Sequence, residues 1–65
     1  MSRFYTHVGF EDRYELDLSG LELPDLDIAV AEAKRAREEL MGENELGHLW
    51  LEIADQTGRV LAKVG

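Results

Sequence analysis

Apolar and polar residues alternate from Arg3 to Phe10. Phe4, Thr6, Val8 and Phe10 fall on one side of an extended segment, and Arg3, Tyr5 and His7 on the other. The period of two recurs in YELDL, where Tyr14, Leu16 and Leu18 oppose Glu15 and Asp17, and the polar FEDR between the runs makes a turn. This predicts a β-hairpin. Ser19-Gly20 then breaks the pattern, and LELP continues extended, because a residue before proline is pushed away from the α region.

Beyond Pro24 the period changes. At 100° per residue, Leu26, Ala29, Val30, Ala33, Ala36, Leu40 and Met41 fall within an arc of about 140°, the stripe a core-facing helix needs. The spacing predicts a helix from about 25 to 41. Asp25 is its N-cap, Asp27 and Glu32 suit the positive end of its dipole, and Gly42 is its left-handed stop before the loop ENELG. Two residues depart from the stripe. Arg37 sits inside the apolar arc, with its stem expected to pack near the sheet edge and its head to reach water. Ile28 sits among Arg35, Glu39 and Glu32 and reads as a scattered exposed apolar residue.

HLWLEIAD alternates again as a third strand, with Leu49, Leu51 and Ile53 opposing His48, Trp50, Glu52 and Ala54. DQTG suits a type I turn followed by a bulge, and RVLAKV returns as the fourth strand. There Val60, Ala62 and Val64 oppose Arg59, Leu61 and Lys63, and the greater size of Leu61 leaves open which side meets the core. The order ββαββ predicts one α+β domain over residues 1–65, a four-stranded antiparallel sheet with one helix packed on one face. One helix covers one face. Tyr5, His7, His48 and Trp50 then share the other, which must be solvated, paired with a second copy, or used for binding.

A chain of 65 residues buries only roughly 60% of the surface it exposes when unfolded, so help from a partner or a second copy matters. Without cysteine there is no disulfide staple and no thiolate metal site, which adds weight to self-association and fits a reducing, cytoplasmic setting. The start MSRFYTHVGF has one basic residue and no long apolar run, so it is not read as a secretory signal. No stretch approaches the roughly 20 apolar residues of a membrane span, and the chain reads as soluble, intracellular and complete.

Charge adds a second surface. Fourteen acids against seven bases give a net charge of −7, and residues 11–32 hold eight of the acids with Arg13 as their only base. Such a field repels phosphate backbones and anionic lipid and attracts basic protein surfaces, with Glu15, Asp17, Glu22 and Asp25 as its candidate contacts. Its simpler role is solubility.

MSRFYTHV, DLSGLELPDLDIAVAEA and EIADQTGRVLAKV together resemble an uncharacterised family of short alphaproteobacterial proteins. In that family an aromatic start precedes a G-x-E-L-P-D-L segment, an alanine-rich helix and a D-x-x-G-x-V-L hairpin. The resemblance covers nearly the whole chain and implies architecture and bacterial origin, with no activity attached. The matching positions Gly20, Leu23, Pro24, Asp25, Leu26 and Gly58 have structural explanations as turn, cap or core.

The residue patterns do not point to an enzyme or to a cofactor. Nucleophilic catalysis needs a Ser or Thr near a histidine and an orienting carboxylate, and the only histidines, His7 and His48, lie on separate strands. With Asp17 or Glu52 they match a two-histidine, one-carboxylate metal set in composition but not in spacing. The isolated turn glycines make no phosphate loop. The aromatic and imidazole groups of Tyr5, His7, His48 and Trp50 suit base stacking, but a nucleic-acid surface would have a basic surround and this chain is acidic. The reading is therefore a non-catalytic protein-interaction module, homodimeric through the open sheet face. The alternatives are an acidic inhibitor or regulator of a basic target, antitoxin-like or DNA-mimicking, and a small-ligand or metal site on the open face.

Overall fold

Strand β1 (Ser2–Phe10) is the longest in the sheet and pairs on both sides. The computed structural model describes residues 1–44 and 48–65. After β1 come β2 (Tyr14–Glu15), β3 (Leu21–Leu23), helix α1 (Leu26–Asn44), β4 (Leu49–Ala54) and β5 (Val60–Val64). All pairings are antiparallel: β4 lies between β1 and β5, while β2 and β3 both pair with β1. The α+β class holds, with five strands where the sequence pattern predicts four.

The extra strand is the start of LELP, expected only as an extended lead to the helix, and the predicted second strand YELDL keeps only two residues. Only Tyr14 and Glu15 join the ladder, opposite Gly9 and Val8, and pairing resumes at Leu21 opposite Phe4 with two extra residues accommodated between. In the gap the Asp17 carboxylate accepts the Thr6 N–H at 3.1 Å through Oδ2, and the Ser19 and Gly20 N–H groups at 3.1 and 3.0 Å through Oδ1. The Asp17 N–H donates in turn to His7 Nδ1 at 3.0 Å. A side chain thus supplies the acceptor that a strand would have supplied to Thr6, and Gly20, at a φ of 72°, redirects the chain into β3. The alternation of YELDL does not place Leu16 and Leu18 in the core, since they are 62% and 87% exposed.

The Asp25 cap is present: its Oδ1 accepts the Ile28 N–H at 2.9 Å. The predicted stripe also faces the sheet. Ala29 and Ala33 are buried, and Leu26, Val30, Ala36, Leu40 and Met41 pack partly buried against the core. Gly42 does not stop the helix, which runs on to Asn44. Gly42 lacks a left-handed φ and adds only its ordinary cost as a helical glycine, about 1 kcal/mol. Of the predicted loop ENELG, Glu43 and Asn44 are helical and residues 45–47 lie outside the described residues. Arg37 also departs from expectation: its Nε donates to the Leu49 carbonyl at 3.1 Å. β5 ends at Val64, so that carbonyl lies beyond the last rung and the guanidinium takes the place of a strand donor.

Leu49, Leu51 and Ile53 of β4 are the largest fully buried side chains and meet Phe4 from β1 and Ala29 and Ala33 from α1. In the β4–β5 turn the Asp55 carboxylate accepts the N–H groups of Thr57 and Arg59 at 2.9 and 3.1 Å, and Gly58 has a φ of 91°. The register shift at Ile53/Ala54 sets Val60 opposite Ala54, while Ala62 and Val64 stay on the helix side. That settles the β5 question: Ala62 and Val64 face the core, and Leu61 is 38% exposed. Leu51→Ala is expected to cost about 2–5 kcal/mol in urea unfolding, a large share of the stability of so small a domain, whereas Val60→Ala should stay within about 0.5 kcal/mol.

Candidate functional site

The face of the sheet away from α1 is organised by cross-strand register. His7 stands opposite Glu52, Gly9 stands between Tyr14 and Trp50, and Glu52 stands opposite Lys63. Gly9 carries no side chain, and the Trp50 indole lies across it so closely that a Cβ there would overlap the ring. Gly20 plays the same part for Tyr5: a Cβ at Gly20 would lie 2.8 Å from Tyr5 Cε2 and 2.9 Å from Arg3 Cγ. Two aromatic rings are therefore laid flat by two glycines.

Glu52 ties the surface together. Its Oε1 accepts the Tyr14 hydroxyl at 2.6 Å and its Oε2 accepts the Trp50 indole N–H at 2.9 Å. Lys63 Nζ sits 5.2 Å from the Trp50 ring centroid, and the His7 and Tyr14 rings lie 6.0 Å apart. The bonds from Tyr14 and then Trp50 hold the Glu52 carboxyl below its ordinary range, helped by the charge of Lys63. Tyr14 is pushed up to about 12, first by partial desolvation and then by its bond to Glu52 and the charge there. Burial acts to raise the Asp17 carboxyl, but the N–H groups of Gly20, Thr6 and Ser19 outweigh it and hold Asp17 below its usual range.

Of the aromatic-face candidates, Tyr5, His7 and Trp50 are half-buried and His48 is exposed. His48 stacks obliquely with Trp50 at 6.0 Å. His7 lies opposite Glu52, four residues along β4 from His48, so the two histidines are separated by roughly 13 Å at the usual strand rise. Among the described residues no three His, Cys, Asp or Glu side chains gather as a metal site. The acidic candidates divide by task. Asp17 and Asp25 cap backbone N–H groups, Glu22 meets Arg3 at 3.4 Å, and Glu15 meets Arg13 at 3.4 Å.

Sequence reasoning missed Tyr14, Gly9 and Lys63 as parts of this face. Tyr14 was grouped with Leu16 and Leu18 as one apolar side, and the three part company only because Asp17 ends the ladder. Gly9 had a readable signal: it continues the Arg3, Tyr5, His7 series, and a glycine inside a strand marks a place where another group approaches closely.

The molecule is thus an α+β domain with one covered sheet face and one face dressed by its own aromatic and charged side chains. The chain belongs to the family described as a domain of unknown function, DUF6894, whose model matches residues 3–65. No curated protein and no solved structure matches the chain. Among the described residues no helix is long and apolar enough to cross a membrane.

The shifted groups set a pH profile. Asp17 and Glu52 are lowered in the folded chain, so their stabilisation is present above the unfolded carboxyl range near about 4 and is lost as pH falls further. Tyr14 is raised from 10.0 to about 12, so its contribution is complete below about 10 and is lost as pH rises through about 12. Urea midpoints measured against pH should fall on both limbs. Tyr14→Phe should flatten the alkaline limb, and Asp17→Asn should shrink the acid one.

Proposed function

We propose that this chain is a non-catalytic interaction module of the bacterial cytoplasm that pairs with a second copy through its open sheet face. The observation that carries the reading is the charge of that face. Arg3 and Lys63 stand there against Glu22 and Glu52, each base opposite one of the acids in register, so the face is balanced in a chain of net charge −7. All the net charge resides in residues 11–32, with eight acids and one base; the rest of the chain carries six of each. Two copies meeting on the open face bring together the surface that repels itself least.

The polar groups of that face are also prepared for burial. Both Glu52 oxygens have donors, and the Trp50 N–H and Tyr14 O–H are used up in supplying them, so covering the network leaves none of these four polar atoms without a hydrogen bond. Tyr5, Tyr14 and Trp50 supply flat amphipathic area of the kind enriched at interfaces. Light scattering should give about twice the 7.4 kDa chain mass. Lys63→Glu makes the face acidic and should return the chain to a folded monomer, its helix and sheet retained by circular dichroism. A monomer mass for the unaltered chain, or a dimer that Lys63→Glu leaves intact, overturns the reading.

A further inference from the structure

On the helix side of the sheet, a groove of about 230 Å³ runs between α1 and the β1–β3 edge. It exists because the helix presents small side chains there: Ala29, Ala33 and Ala36 form one wall, with Phe4, Leu21 and Leu23 opposite. Three polar groups enter this otherwise apolar channel, namely Thr6, Asp17 and Glu32, and no basic residue lines it. Asp17 is fixed by its backbone bonds, and Glu32 makes only an exposed pair with Arg35 at 3.6 Å. Among the described residues the Thr6 hydroxyl has no hydrogen-bond partner, although its N–H is engaged. Leu16 and Leu18, the chain neighbours of Asp17, are exposed and do not line the groove.

We propose that this groove seats a lysine side chain from a basic, amphipathic segment of a partner protein. The alkyl stem fits between the alanine wall and Phe4, Leu21 and Leu23, and the ammonium meets Asp17, Glu32 and the Thr6 hydroxyl. Lysine suits the site better than arginine. The Asp17 oxygens already accept three N–H groups, which leaves no free carboxylate edge for a two-pronged guanidinium contact, whereas a point charge needs only one lone pair from each neighbour. The exposed leucines on either side of Asp17 in the chain favour a protein segment over a free amine, since they offer apolar surface that only a longer occupant can use. A second copy is disfavoured as occupant, because both carboxylates of the groove, Asp17 and Glu32, belong to the segment that carries the whole charge of −7. The groove and the open face are on opposite sides of the sheet, so this proposal does not depend on the dimer.

The test is titration of the ¹⁵N-labelled full chain with a peptide of alternating lysine and leucine, beside arginine–leucine and glutamate–leucine peptides of equal length. Amide shifts should centre on Thr6, Asp17, Leu21 and Ala33, with the lysine peptide bound most tightly, the glutamate peptide not bound, and affinity falling with salt. Glu32→Gln should weaken binding about tenfold, the scale of one charge-assisted contact. Thr6→Val should weaken it with the fold intact, and Ala36→Leu, which fills the channel, should abolish it. Repeating the titration on Lys63→Glu should give the same result whether or not the chain dimerises. The proposal is overturned if the shifts centre on Tyr5 and Trp50 or spread evenly over residues 11–32, or if arginine is preferred. Unchanged affinity in both Glu32→Gln and Ala36→Leu overturns it, as do groove amides that shift with protein concentration alone.

Discussion

One carboxylate closes an edge of the sheet that the backbone leaves open. β1 has ladder partners at Ser2–Phe4 and at Val8–Gly9 on that edge but none at Thr6, and an unpaired N–H there would be an exposed pairing point. Asp17 fills the position and, through its own N–H, ties down His7. The consequences reach both faces. On the open side, His7 is held in register with Glu52; on the helix side, Asp17 and Leu21 become a wall of the groove. The same break pushes Leu16 and Leu18 into solvent, which gives this short chain its most exposed apolar stretch beside its densest charge.

Absent side chains shape the molecule as much as present ones. Gly9 lets the Trp50 indole lie down and reach Glu52, and Gly20 does the same for the Tyr5 ring while providing the positive φ that the turn after Asp17 needs. Alanine at 29, 33 and 36 keeps the helix close to the sheet yet too thin to cover the β1–β3 side. A single helix over a twisted sheet can bury one central strand well. Here that strand is β4, whose Leu49, Leu51 and Ile53 are fully enclosed.

Elements whose burial follows from period alone were legible in the chain: β1, most of β4 and the stripe of α1, whereas β5 was legible as a strand with its core side left open. The Asp25 cap and the Gly58 turn were legible because local chemistry decides them. The break after Glu15 was not, because the alternation of YELDL continues through Asp17 and nothing in the pattern shows that a carboxylate competes there with the ladder. Gly42 misled for the opposite reason: its usual preference costs too little to end a helix whose Leu40 and Met41 still pack on the sheet. Arg37 looked misplaced because its acceptor, a carbonyl beyond the last rung of β5, exists only in three dimensions. For the candidate face, Tyr5, His7 and Trp50 could be read from period two. The Tyr14–Glu52–Trp50 network depends on register across three strands, which no single segment encodes.

The edge of the sheet therefore turns on the Thr6 amide. Hydrogen exchange of that one N–H tests it most directly, in the unaltered chain and in Asp17→Ala. If Asp17 completes the edge, Thr6 is protected like its ladder neighbours Phe4 and Val8, and the alanine variant exposes it to fast exchange while Leu51 and Ile53 remain protected. An amide at Thr6 that exchanges quickly in the unaltered chain, or at the same slow rate without the carboxylate, would contradict the account.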